Sequence, residues 1–113
     1  MYNQKLGKIG EDLALSYLIK QGHKIVSTNF RSPYGEVDVI SISPSNQLVF
    51  SEVKTRTCNN FGSPQDSVNR LKRLRIIKTA LYFINQSSKK ITHGWRIDVI
   101  SVQLNHIKNI SDG

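Results

Sequence analysis

Two acids and a lysine are the residues whose types and spacing could do chemistry in this sequence: Asp38, Glu52 and Lys54. They lie in two short stretches with strand character, 36–42 and 48–56, joined by Ser43-Pro44-Ser45-Asn46-Gln47, a connection of the length hairpins use. A hairpin centred on Ser45 sets Ile42 opposite Leu48, Ile40 opposite Phe50, Asp38 opposite Glu52 and Glu36 opposite Lys54. The two-residue period of a strand then gathers these side chains on one face, apolar near the turn and charged at the far end. Asp38 and Glu52 become cross-strand neighbours with Cβ atoms about 5 Å apart. Carboxylates so placed repel, and call for a shared proton, a nearby cation or a bound divalent metal.

A hard cation such as Mg²⁺ or Mn²⁺ takes oxygen ligands and commonly uses one or two carboxylates, leaving water and substrate phosphate to fill its shell. Asp38 and Glu52 meet that requirement. Lys54 returns to the same face, where its ammonium could orient or deprotonate an attacking water and offset charge developing on a phosphate. The competing reading is a surface hairpin whose charged end is held by cross-strand ion pairs, Glu36 to Lys54 among them.

Several elements must position this hairpin. Leu6, Ile9, Leu13 and Tyr17 recur at three- and four-residue steps and predict a helix over 6–21, stopped by Gly22. On that helix Glu11 falls beside Ala14 and Leu18 at the margin of the apolar arc, and Asp12 among Lys5, Lys8 and Ser16, so Glu11 is the acid nearer the core. Residues 24–31 read as a strand, and Ser32-Pro33-Tyr34-Gly35 as a turn in which Gly35 supplies a positive φ. Ser63 with Pro64 and Asp66 forms a capping pattern for a second helix over 64–86, basic in its first half and buried at its apolar end, 80–84. Gly94 opens a last strand over 95–104, and a polar tail follows from about 105. The order α-β-β-β-α-β in one domain spanning 1–113 predicts an α/β fold with a central mixed sheet, since the helix before the last strand permits a parallel crossover.

The charge balance points to a polyanion. Sixteen Lys and Arg against eight Asp and Glu leave +8, and no acid occurs between Ser67 and Ile97, a stretch with eight basic residues. Arg56, at the end of the lysine-bearing strand, is the preferred phosphate contact; Lys72 and Arg73 on the second helix are further ones, and Gln65 could reach a phosphate or a metal-bound water. No stretch is apolar enough to span a membrane, and the first ten residues lack the apolar core of a secretory signal, so a cytoplasmic address is expected. Cys58, alone, can form no internal disulfide and reads as a free loop thiol. His23, His93 and His106 lack zinc-ligand spacing, and Phe61 reads as a loop residue closing over the core. Arg96 and Asp98 share a strand face and read as a structural ion pair.

The stretch GEVDVI followed by VFSEVKTR resembles the Asp…Glu-x-Lys core of the PD-(D/E)xK, or restriction-endonuclease-like, superfamily. With KIGEDLALSYLIKQGHKIVSTNFR before it, and FGSPQDSVNRLKRLRIIKTALYFI and WRIDVISV after it, nearly the whole chain is similar to the small YraN-type proteins. The resemblance implies a restriction-endonuclease-like core, with archaeal Holliday-junction resolvases as the nearest functional analogy. By position it implies Asp38 and Glu52 as ligands of Mg²⁺ or Mn²⁺, Lys54 as the residue serving the water, Glu11 as a further acidic ligand or base, and the Val53 carbonyl as a metal contact. Val37 stands where the nominal proline would precede Asp38. The function implied is a metal-dependent DNA endonuclease acting on branched or structured DNA, for which a homodimer suits the cutting of two strands. The alternative is a nucleic-acid-binding accessory protein in repair, recombination or uptake that cleaves weakly or not at all; a third is a protein-interaction domain whose acids are structural.

Overall fold

The computed structural model describes residues 4–57, 69–87 and 93–104. Its elements are α1 (Gln4–Lys20), β1 (Lys24–Ser32), β2 (Gly35–Ile42), β3 (Leu48–Thr57), α2 (Arg70–Gln86) and β4 (Trp95–Leu104), the order expected from the sequence. The four strands form one mixed sheet in the order β1-β2-β3-β4, antiparallel except for the parallel pair β3/β4, which α2 connects.

The two helices take opposite faces of this sheet. Ile76 and Ala80 of α2 join Ile40, Leu48 and Phe50 in the main core. Phe83 stacks edge-on against Phe50 and Phe30. On α1, a Cβ added to Gly10 would overlap the Thr55 hydroxyl, so this helix lies almost in backbone contact with β3. Phe50 and Thr55 sit at even and odd positions of a regularly paired strand and must point to opposite sides. This close approach overturns the expected stripe on α1. Gly10, Ala14 and Leu18 are buried, whereas Ile9, Leu13 and Tyr17 are about half exposed. A helix brought this near to a sheet does so through its small residues, and the large ones splay to the sides.

A second correction concerns α2. Asn69 has extended backbone angles and its Oδ1 accepts the Lys72 N–H at 2.8 Å, so Asn69 caps a helix that begins at Arg70. The expected cap at Ser63 to Asp66 lies outside the described residues, as do Cys58, Phe61, Gln65, His106 and the tail. Of the apolar end of α2, Ala80 is buried and Tyr82, Phe83 and Ile84 are half-buried as expected, but Leu81 is exposed.

The hairpin register is the one expected near the turn: Ile42↔Leu48, Ser41↔Val49, Ile40↔Phe50, Val39↔Ser51. There the ladder ends, one step before the acids. Val37 and Ile40, at odd and even positions, both enter the core against α2, and a Cβ at Gly35 would lie 3.5 Å from Thr79 of the same helix. β2 therefore changes face between Val37 and Ile40. The single-face arrangement expected of Glu36, Asp38, Ile40 and Ile42 is broken at this point.

Candidate metal centre

Where β2 and β3 part, side chains take over from the backbone. Asp38 Oδ2 accepts the Val53 N–H at 2.7 Å, the bond a continued ladder would have given to a carbonyl of β2. Glu52, 8% exposed, meets the Lys72 ammonium at 2.8 Å and that of Lys54 at 3.4 Å. Asp38, Glu52 and Lys72 share a cavity of about 490 Å³ with Asn69, Leu71 and Arg75. The two acids thus converge by a route other than cross-strand pairing: one at the change of face in β2, the other on the α2 side of β3.

The electrostatics follow from this crowding. Burial pushes the Asp38 carboxyl up to about 6, and the charges of Glu52, Glu11 and Glu36 add to that against the opposing Val53 hydrogen bond. Lys54 is lowered by burial and by the neighbouring Lys72 ammonium, with Glu52 opposing. For Lys72 burial pulls downward, but the contacts with Glu52 and Lys54 outweigh it and raise the ammonium above its ordinary value. Of the two lysines, Lys54 is the one disposed to give up a proton.

The remaining residues singled out in the sequence fall as follows. Glu36 faces Arg31 across the β1/β2 ladder, with Nε to Oε2 at 2.9 Å, and not Lys54, because the β2/β3 ladder never reaches it. Glu11 is half-buried and close enough to act on Asp38 by charge, whereas Asp12 is exposed and pairs with Lys8 at 3.1 Å. Among the described residues no three His, Cys, Asp or Glu side chains form a group that could hold a metal, so Glu11 is not brought into a three-acid cluster with Asp38 and Glu52. Its helix lies on the Thr55 side of β3, and Glu52 on the other. Arg56 is partly buried, two residues beyond Lys54, and Arg73 is exposed on α2. Arg96 and Asp98 form the expected ion pair at 3.0 Å. His23 bonds the Ser41 hydroxyl at 2.9 Å and is lowered by burial first, then by Arg96.

The sequence marks Lys72 as a phosphate contact but not as a partner of Glu52, and it does not single out Arg75. A helix begun at Pro64 would place Lys72 in its third turn and Arg75 in its fourth, whereas the Asn69 cap puts Lys72 in the first turn, at the cavity wall. The asparagine followed three residues later by the lysine was the available signal. A larger concavity, about 1150 Å³, lies on the other face between α1 and β4, but it is broad and open and holds no pair of carboxylates.

The donor set suits Mg²⁺ or Mn²⁺: two carboxylates, both hard oxygen donors, one of them destabilised by its surroundings and so improved by a nearby cation. The class defined by fold and site is a small α/β domain with an acid pair and two lysines gathered where the strands of a mixed sheet diverge. The chain belongs to the uncharacterised protein family UPF0102, the YraN family, whose model matches residues 10–102. It is 43% identical to a UPF0102 protein of Thermodesulfovibrio yellowstonii, over 93% of this chain and 94% of that protein. A UPF0102 protein of Caldicellulosiruptor bescii is 40% identical, over 96% of this chain and 90% of its own length. One from Caldanaerobacter subterraneus subsp. tengcongensis is 44% identical, over 88% and 80%. Among the described residues no helix is long and apolar enough to cross a membrane.

Proposed function

We propose that this protein is a Mg²⁺- or Mn²⁺-dependent nuclease that hydrolyses phosphodiester bonds of DNA, with branched or structured DNA as the substrate class. The observation that carries the reading is the convergence of Asp38, Glu52 and Lys72 on one cavity, with Lys54 in contact with Glu52. Asp38 and Glu52 would hold the cation. The Val53 carbonyl would join them, since the N–H of that residue already points to Asp38 and both backbone groups leave a strand on the same edge. A divalent ion there supplies Lewis-acid polarisation of the phosphate and a lowered pKa for water.

The protein's own groups have distinct tasks. Lys54, inclined to lose its proton, can take one from the attacking water, or offset charge on the phosphate while protonated. Glu11 acts on Asp38 by its charge, and Arg56, Arg73 and Arg75 supply positive charge for the nucleic-acid backbone. Gln65 is assigned the phosphate contact that its place in the sequence suggests.

Purified protein incubated with linear, single-stranded and four-way-junction DNA in Mg²⁺ and in Mn²⁺ tests this reading. Cleavage is expected for the natural protein and lost in Asp38→Ala and Glu52→Ala. Cleavage that survives both substitutions removes the site from the reaction. Among the described residues no third acidic side chain joins the pair in a group that could hold a metal, which favours one competing reading, an accessory protein that binds DNA and cuts little. Tight, salt-sensitive binding without cleavage in either metal is its signature.

A further inference from the structure

Glu52 is nearly excluded from solvent, yet two ammonium groups contact the same oxygen, Oε2: Lys72 at 2.8 Å and Lys54 at 3.4 Å. They differ in freedom. Lys54 stands on β3 two residues from its partner, with a side chain 20% exposed. Lys72 reaches across from the first turn of α2, with a side chain 36% exposed. Its backbone is fixed by Asn69, but a four-carbon stem lets the ammonium choose among nearby anions. Arg75, one turn on, lines the same cavity wall.

The charges of Asp38 and Glu52 are matched by those of Lys54 and Lys72, while Glu36 on the same cavity wall is paired with Arg31 and Arg75 adds a further positive charge. A divalent cation entering this balanced set adds two positive charges with no anion to meet them. A phosphodiester brings that anion. Lys72 is the cation in the set best able to move from carboxylate to phosphate, because it arrives from the basic helix and not from the strand that carries Glu52.

We propose that Lys72 neutralises Glu52 while the site holds no metal, and turns to a nucleic-acid phosphate when a divalent cation takes the carboxylate, so that metal and DNA bind cooperatively through this one side chain. The proposal rests on the metal site of the nuclease reading and adds to it a coupling between the two ligands. A fixed salt bridge from Lys72 to Glu52 would change metal affinity but leave only the coupling that direct contact between metal and phosphate supplies, which loss of the Lys72 charge would not reduce.

The test uses the full chain and a short fluorescent duplex, with affinity read by anisotropy in EDTA and in saturating Ca²⁺, a hard cation with the same preference for oxygen. Mn²⁺ binding without DNA is measured alongside by the paramagnetic resonance of the free ion. Glu52→Gln fixes the effect of Ca²⁺ on DNA alone. Relative to that baseline, the tightening of duplex binding by Ca²⁺ is expected to be about tenfold greater in the natural protein than in Lys72→Gln, which should still bind Mn²⁺ at least as tightly. Lys72→Arg, which keeps the charge, should retain most of the coupling. Three results overturn the proposal alone: no coupling in the natural protein although Mn²⁺ binds, full coupling in Lys72→Gln, or weakened Mn²⁺ binding in that variant. Absence of Mn²⁺ binding in every form overturns the metal site and the proposal together. Reductive methylation of the natural protein is a second measure, independent of whether Lys72→Gln folds. The Lys72 amine should react faster in Ca²⁺ and slower once duplex is added; an unchanged rate is evidence against any transfer.

Discussion

Replacing Asp38 by asparagine should make the metal-free protein more stable at neutral pH. The carboxyl is pushed up to about 6 in the fold from an ordinary value of 3.8. Folding therefore favours its protonated form, and the associated stability is complete below about pH 4 and is lost as pH rises through about 6. A shift of this size corresponds to about 3 kcal/mol at full effect, and solvent screening of a half-buried carboxyl reduces it to about 1–2 kcal/mol. Asparagine carries no charge, and its Oδ1 can still accept the Val53 N–H that Asp38 accepts at 2.7 Å. Urea unfolding in EDTA should find Asp38→Asn more stable than the natural protein by about 1–2 kcal/mol at pH 7.5, with the difference vanishing near pH 4. Saturating Mn²⁺ should reverse the order, because only the natural protein gains from the ion. A variant less stable at pH 7.5, or a difference that does not change between pH 4 and 7.5, would refute the account of Asp38 as a carboxylate held at a cost.

Other consequences can be measured with the same preparations. Glu52→Gln leaves two ammonium groups facing each other in a mostly buried place and should cost about 2–4 kcal/mol at pH 7 by urea unfolding; a neutral effect would mean that the lysines have other anions to turn to. Gly10→Ala forces a methyl group into Thr55 and should cost about 1–3 kcal/mol, part of which Thr55→Ala should restore; simple additivity of the two changes would contradict the close approach of α1 to β3. Mn²⁺ affinity should fall by up to about tenfold per pH unit below about 6, as Asp38 takes up a proton, and the fall should be absent in Asp38→Asn.

How far the sequence disclosed this arrangement depends on the length over which each feature is determined. The strands and their order were legible because runs such as 36–42 and 48–56 have turn residues on both sides, and the register followed from matching Ile40 with Phe50 and Ile42 with Leu48. The end of the ladder was not legible. It depends on the Asp38 carboxylate displacing a backbone acceptor, a tertiary event with no pattern of its own. The face of α1 was misread for a related reason: large apolar residues mark a helix, but here Gly10 and Ala14 decide how near it comes. Lys72 was legible as a phosphate contact, but the choice of cap hid its place beside Glu52. Ser63 and Asn69 both offer capping oxygens, and only the backbone angles of Asn69 distinguish them. The acid pair and its lysine were legible as types and spacing; the second lysine, which completes the charge balance, came from an element six residues out of place.

The site occupies the part of the hairpin that contributes least to stability, and this division explains how the fold tolerates it. Near the turn, Ile40 and Phe50 are fully buried and paired, and they join the core against α2. Burying side chains of this size is worth roughly 1.5–3 kcal/mol each, enough to set the register without help from the other end. Past Val39 and Ser51 the two strands have no ladder with each other to preserve, so the repulsion between Asp38 and Glu52 disrupts no pairing of β2 with β3. A carboxylate pair at the centre of the ladder would oppose the register itself. Placed at its end, the pair can be satisfied by lysines in one state and by a cation in another, while the hairpin that carries it stays unchanged.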